Sequence, residues 1–279
     1  MVVVAFFVGG LLALVLWRLS AVSAFGASVF SRENYRGRTL PTAVGVVMVL
    51  VVVAVAALVV FLDEAGTEID DAALSGLLPA VLIAVGFGFL GLVDDLGGVG
   101  QSGGFRGHLM ALARGRLTTG AIKLFGGAAV AVVAVAPYAD ESAGRLLLDA
   151  ALVALSANLA NLFDRAPGRV TKISLVCAVA LALAAGFDPV LAGIALALGA
   201  GAGLLLDDLG ERLMVGDAGA NVLGAALGLG VVATMSPLVR TITLVVVAAL
   251  NLLSEKVSFS KVINRVGPLR AVDHLGRKI

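Results

Sequence analysis

The sequence predicts an all-α, polytopic membrane helix bundle of about nine transmembrane helices, with the N-terminus outside and the C-terminus cytoplasmic. Three observations carry that prediction. Of the 279 residues, 60% are hydrophobic and only 14% are charged, against about 25% charged in ordinary soluble domains. The apolar residues gather into runs at roughly 2–17, 42–62, 73–93, 121–138, 147–162, 171–187, 190–206, 218–235 and 239–254, and a membrane helix needs about 20 such residues. The basic residues then fall on alternate loops. This composition argues against a soluble enzyme, a nucleic-acid binder and a disordered chain. The single Cys177 lies in an apolar run, so neither a disulfide framework nor a cysteine metal site is expected. The 35 glycines suit close helix packing in lipid.

The first run lacks a basic leader, and Trp17-Arg18 follows it where a signal peptide would have small residues. It reads as a retained helix. From there, charge sets the topology. Arg18, Arg32, Arg36, Arg38, Arg106, Arg114, Arg116, Lys123, Arg165, Arg169, Lys172 and Arg212 share one side with the tail. With Lys256, Lys261, Arg265, Arg270, Arg277 and Lys278, that side holds 18 of the 20 basic residues. The other side holds only Arg145 and Arg240, with Asp63, Glu64, Glu68, Asp70, Asp71, Asp140, Glu141 and Asp188. The positive-inside rule puts the basic loops in the cytoplasm and requires an odd number of spans. A single integral-membrane domain over 1–279 is expected, with 255–279 as a basic cytoplasmic tail. The loops on the basic side are the longer ones, so chemistry is expected at that face.

Carboxylates stand where a membrane helix should not favour them. The third, fifth and seventh runs end in Asp94-Asp95, Asp164 and Asp207-Asp208. A helix C-terminus carries partial negative charge and prefers a cation, and adjacent carboxylates resist joint ionisation. Either the ends are solvated or a cation compensates them. Asn158, Asn161 and Asp164 recur at i, i+3, i+6 and fan over one helix face. They read as packing glue between helices or as a polar stripe leading to the cytoplasmic mouth. Gly216-Asp217-Ala218-Gly219 precedes the eighth run. Asp217 there is either an N-cap or a metal ligand, at a place where free backbone N–H groups also bind phosphate. The G-x-G-x-x-G match at 98–103 follows a membrane helix and not a strand, so it is not a dinucleotide fingerprint. His108 and His274 are the only histidines, and the basic tail around His274 suits anionic lipid.

These motifs, in this order, resemble the polyprenyl-phosphate hexosamine-1-phosphate transferases, a superfamily that includes phospho-MurNAc-pentapeptide translocase and the GlcNAc-1-phosphate transferases. The resemblance covers nearly the whole chain. Gly91-Leu92-Val93-Asp94-Asp95 is similar to the family's Asp-Asp motif, and Asn158 through Asp164 to its Asn-x-x-Asn-x-x-Asp motif. Val215-Gly216-Asp217-Ala218-Gly219-Ala220 resembles its Met-Gly-Asp-x-Gly-Ser motif. Asn34-Tyr35-Arg36-Gly37 through Gly45 resembles the segment entering the second helix, and Lys123 is similar to a family lysine. The chain departs from the pattern at Arg165-Ala166-Pro167-Gly168, at Asp207-Asp208, in a His-rich motif reduced to His274, and in having no tenth apolar run.

The resemblance implies transfer of a sugar-1-phosphate from a UDP-sugar to a polyprenyl phosphate, releasing UMP at the cytoplasmic face of the plasma membrane, in cell-wall or surface-glycan synthesis. It implies Mg²⁺ on Asp217, with Asp94 and Asp95 orienting or deprotonating the lipid phosphate and Asp164 completing the acidic mouth. Asn158, Asn161, Lys123, Arg270 and His274 are then the expected substrate-binding residues, and a homodimer is compatible with it. The competing readings are a catalytically altered paralogue and a transporter. A transporter should carry its polar residues at mid-membrane, and here they gather at one face. A CDP-alcohol phosphotransferase ranks third, because its acidic signature is not present as one block.

Overall fold

The computed structural model describes residues 1–97, 110, 114–115, 118–139 and 142–277. The glycine-rich match at 98–103, Arg106, His108, Arg116, Asp140, Glu141 and Lys278 lie outside the described residues. Among those described, each apolar run is a helix. These are α1 (Val2–Ser20), α2 (Val46–Glu64), α3 (Asp71–Gly97), α4 (Thr119–Val135) and α5 (Ala143–Phe163), followed by α6 (Arg169–Ala184), α7 (Ala192–Leu209), α8 (Gly216–Thr234) and α9 (Pro237–Ser254). Two short helices, α10 (Phe259–Arg265) and α11 (Gly267–His274), form the tail. The starts follow local chemistry. Thr118 accepts a hydrogen bond from Ala121 N at 3.1 Å to cap α4, Ser142 accepts from Arg145 N to cap α5, and α9 opens on Pro237, where a missing N–H does no harm.

The chain is a multi-pass, all-α membrane protein. Among the described residues, eight helices are long and apolar enough to cross a bilayer. The ninth expected span, α6, has 16 residues, about 24 Å of helix. It nonetheless runs the depth of the bundle. Gly168, just before it, packs on Leu205 and Leu209 at the end of α7, and Leu181 near its far end packs on Gly230 of α8.

Helix α8 is the hub, with 78% of its span buried against 11% for α9. It is surrounded by α3, α5, α6 and α7, and its Leu223 and Leu229 sit against a core that includes Met48, Ile83 and Leu152. Between apolar helices in lipid, close packing of small residues supplies the association that the hydrophobic effect cannot. Helix α1 docks on α7 in this way, glycine against backbone on both sides, and Arg18 reaches Asp207 at 3.2 Å.

The helix ends sort into two faces. Contacts such as Arg18 with Asp207 and Arg32 with the Leu96 carbonyl at 3.3 Å join loops that the charge pattern puts together. On the acidic face, Arg145 and Arg240 both bind the buried Asp149 of α5, Arg145 Nε at 3.0 Å and Arg240 Nη1 at 3.1 Å. The two basic residues that break the charge rule are thus ion-pair partners inside the bundle. Within the 18–41 loop, β1 (Ser31–Glu33) pairs antiparallel with β2 (Thr39–Pro41), Arg32 opposite Leu40. This hairpin is a small addition to the helical expectation.

Candidate functional site

Four helices bring polar side chains to one point on the basic face. Helix α3 has 27 residues, about 40 Å of helix. That exceeds the ~30 Å hydrocarbon core, so its last turn carries Asp94 and Asp95 to the boundary. Helix α4 contributes Lys123 from its first turns, α5 contributes Asn161 near its end, and α8 contributes Asp217 at its start. Lys123 Nζ donates to Asp217 Oδ2 at 2.6 Å and to Asp94 Oδ2 at 3.4 Å. Asn161 Nδ2 donates to the same Asp217 oxygen at 3.1 Å. The ammonium therefore stands where a cation between two carboxylates would stand.

The adjacent aspartates divide their work. Asp95 Oδ1 accepts from Asp217 N and Oδ2 from Ala218 N, both at 3.0 Å. It caps α8 from another helix, satisfying two of the donors that a helix start leaves open. Of the two readings of Asp217, the N-cap is taken by Asp95 from outside the helix, and the Asp217 and Ala218 N–H groups are occupied by it. Asp95 is committed to backbone, while Asp94 faces Lys123. The arrangement needs glycine twice. A Cβ on Gly91 would lie 2.3 Å from the Asp217 carbonyl oxygen, and one on Gly216 would lie 2.6 Å from Asp95 Oδ2. Gly216 also has φ of 71°, a left-handed conformation that other residues adopt at a cost.

The loop before α8 is fastened from a distance. Glu211, 2% exposed and with φ of 50°, accepts from Asn34 Nδ2 at 3.0 Å. It also pairs with Arg36 at 3.1 Å and Arg38 at 3.2 Å, so the hairpin turn is strapped to it. Met214 N donates to the Pro41 carbonyl at 2.7 Å, and Gly45 N to the Val215 carbonyl at 2.9 Å. Neither the strap nor Glu211 is visible in the motifs. The only sequence signal is a basic cluster at 32–38 on the same side as the acidic run Asp207-Asp208-Leu209-Gly210-Glu211.

Asp164 is half-buried at the end of α5. Its carboxyl is pushed up to about 8 by burial first, then by Asp208 and Asp217, against Arg165 and Arg169. It accepts no hydrogen bond from a side chain among the described residues. The Asp207-Asp208 pair is not part of an open site. Asp207 pairs with Arg18 and Arg212, and Asp208 accepts from Gly168 N at 2.9 Å, holding the start of α6.

Three expected binding residues are not brought to the cluster. Asn158 donates to Asn251 of α9 at 2.7 Å, so the stripe splits, with Asn158 acting as helix–helix glue and Asn161 facing Asp217. Arg270 and His274 are exposed on α11 and make no hydrogen bond or ion pair with Asp94, Lys123, Asn161 or Asp217. The tail residue that docks is Asp273, which takes Arg169 in a two-pronged pair at 2.7 and 2.9 Å. Sequence reasoning also missed Asn221, one turn along α8 from Asp217. It is fully buried, and its amide has no hydrogen-bond partner among the described residues.

The donor set suits a hard cation. Among the described residues no three His, Cys, Asp or Glu side chains form a ready-made cage. Mg²⁺, however, binds through one or two carboxylates and takes its remaining oxygens from phosphates and water. Asp94 and Asp217 supply two such carboxylates, already converging on the Lys123 ammonium. No family model and no curated protein matches the chain.

Proposed function

We propose that this chain transfers a sugar-1-phosphate from a UDP-sugar to a polyprenyl phosphate carrier at the cytoplasmic face of the plasma membrane, releasing UMP. The observation that carries this reading is the convergence of Asp94, Lys123, Asn161 and Asp217, from four helices, at one membrane boundary. An oxygen of the lipid phosphate would attack the β-phosphorus of the donor. A new pyrophosphate P–O bond forms as the bond to UMP breaks. Such transfers depend mostly on positioning and charge neutralisation. Asp94 and Asp217 would hold Mg²⁺, which when bound offsets charge on the phosphate oxygens. Lys123 would turn its ammonium from the carboxylates to substrate phosphate. Asn161 fixes the rotamer of Asp217 through Oδ2, and Asp95 fixes the start of α8. Asp164 lines the acidic mouth as a carboxyl that burial holds largely protonated. Arg270 and His274 would act only on a nucleotide that extends to α11.

The test is UMP release by the purified protein with undecaprenyl phosphate and a panel of UDP-sugars, with and without Mg²⁺. Mg²⁺-dependent release that Asp217→Asn removes, in a variant that still purifies folded, supports the transferase. One observation favours a second reading, a paralogue without transferase activity: the Lys123 ammonium already occupies the place between the two carboxylates. No release with any donor, together with no binding of Mn²⁺ as a spectroscopic probe, would select it.

A further inference from the structure

Where α9 leaves the bilayer the chain turns and forms a cup of about 380 Å³, lined by Lys256, Lys261, Arg265, Ser258, Glu255 and Val262 among others. Lys261 and Arg265 are four residues apart on α10, so they share a face. Lys256 stands on the turn opposite. All three are exposed, and none makes an ion pair among the described residues, although Glu255 lines the same cup. The cup is not a loose end. Phe259 stacks on Phe163 of α5 with ring centroids 4.9 Å apart, and Ser260 accepts from Arg169 Nη1 at 2.7 Å. Those contacts anchor one side of α10 and turn Lys261 and Arg265 outward. Directly before the cup, the last turn of α9 exposes Leu252 and Leu253. They continue the lipid-facing surface that runs down this helix through Val246, Val245 and Ile242.

We propose that this cup binds the phosphate headgroup of an anionic glycerophospholipid, whose acyl chains lie along Leu252 and Leu253. Unpaired cations directly above an apolar, bilayer-facing strip match both halves of such a molecule. Basic pockets at the ends of membrane helices take anionic headgroups for the same reason. The long side chains can cover apolar surface while their charged ends stay at the interface. The site is separate from the Asp94–Asp217 cluster and does not depend on the transferase reading.

The test uses the full-length protein, stripped of lipid in a neutral detergent. It is titrated with phosphatidylglycerol, with phosphatidylcholine of the same chains, and with sn-glycerol 3-phosphate. Retention is read by native mass spectrometry and stabilisation by thermal unfolding. The expected result is retention of phosphatidylglycerol over phosphatidylcholine, with a Lys261→Gln/Arg265→Gln variant losing about 10–30-fold in affinity. Lys261→Arg should keep the affinity, and Lys256→Gln, on the turn outside α10, should lower it should the double variant fail to fold. Binding should weaken as salt rises. Unchanged phosphatidylglycerol binding in the double variant and in Lys256→Gln would overturn the proposal. Displacement of phosphatidylglycerol by an equal concentration of sn-glycerol 3-phosphate would also overturn it, because the occupant would then be a free phosphate ester.

Discussion

Replacing Asp95 by alanine removes the cap of α8 and leaves two N–H groups, those of Asp217 and Ala218, without their acceptor. A hydrogen bond to a charged group contributes about 1.5–3 kcal/mol net, and loss of a cap costs about 0.5–2 kcal/mol. Asp95 is half-buried, so water replaces part of what is lost, and about 2 kcal/mol is expected for Asp95→Ala. Asp95→Asn retains one acceptor oxygen and should fall between wild type and alanine. The neighbouring Asp94→Asn removes no backbone contact and should leave stability within about 0.5 kcal/mol while suppressing Mg²⁺-dependent turnover. The assay is reversible unfolding in mixed micelles, run beside UMP release. A stability loss below about 0.5 kcal/mol for Asp95→Ala, with turnover removed as fully as by Asp94→Asn, would refute the capping role. Asp95 would then belong with the reacting groups.

Other outcomes follow from the same structure. Asn221→Leu should stabilise the protein by about 1 kcal/mol, since it removes a buried amide with no partner, and should lower turnover if the amide serves the site; thermal unfolding and UMP release read the two effects. Burial works to raise the Asp273 carboxyl, but the Arg169 hydrogen bond and charge, joined by Arg277, outweigh it and hold the group below its ordinary value of 3.8. A depressed carboxylate stabilises above its unfolded pKa, and that contribution goes as pH falls through the folded value. The protection of α11 amides from hydrogen exchange, corrected for the intrinsic rate at each pH, should therefore be constant from about pH 7 to 5 and fall only below about pH 4. Arg270→Ala should raise the KM for UDP-sugar only if the nucleotide spans to α11; an unchanged KM would assign Arg270 to the basic surface.

Much of the fold was legible because its signals are local. Apolar runs, the loop charges around them and caps such as Thr118 mark each helix within a few residues. The cluster was partly legible too, since Asp94, Asn161 and Asp217 each sit in a motif on the basic side. Side-chain direction was not. Asp94 and Asp95 are neighbours about 100° apart on the helix, and only the packing of α8 on Gly91 decides which one caps. Asn158 and Asn161 share a helix face broad enough to meet two partners, α9 and α8. Glu211 and the 34–38 turn lie more than 170 residues apart, beyond any local pattern. Asp149 was within reach, since Arg145 stands four residues before it, the spacing of a helical ion pair.

The carboxylates of the basic face can be sorted by what they already bind, and the remainder identifies the site. Asp207 has two guanidinium partners, Glu211 has two more and an amide, and Asp273 has Arg169 and Arg277. Asp95 and Asp208 are held by backbone N–H groups. A carboxylate already paired with guanidinium groups or holding a backbone N–H is committed to structure, and moving it to a ligand would undo that contact. Apart from the exposed Glu33 and Glu255, Asp94, Asp164 and Asp217 remain, and among the described residues the one cation in direct contact with any of them is Lys123. Asp164 is held largely protonated by burial, but Asp94 and Asp217 against one ammonium still leave an excess of negative charge where the low dielectric of the boundary makes it expensive. A divalent cation with phosphate ligands relieves that excess, whereas a site built only for packing would have spread these acids among the arginines nearby. The electrostatic surplus and the converging geometry thus point to the same few residues without reference to any motif.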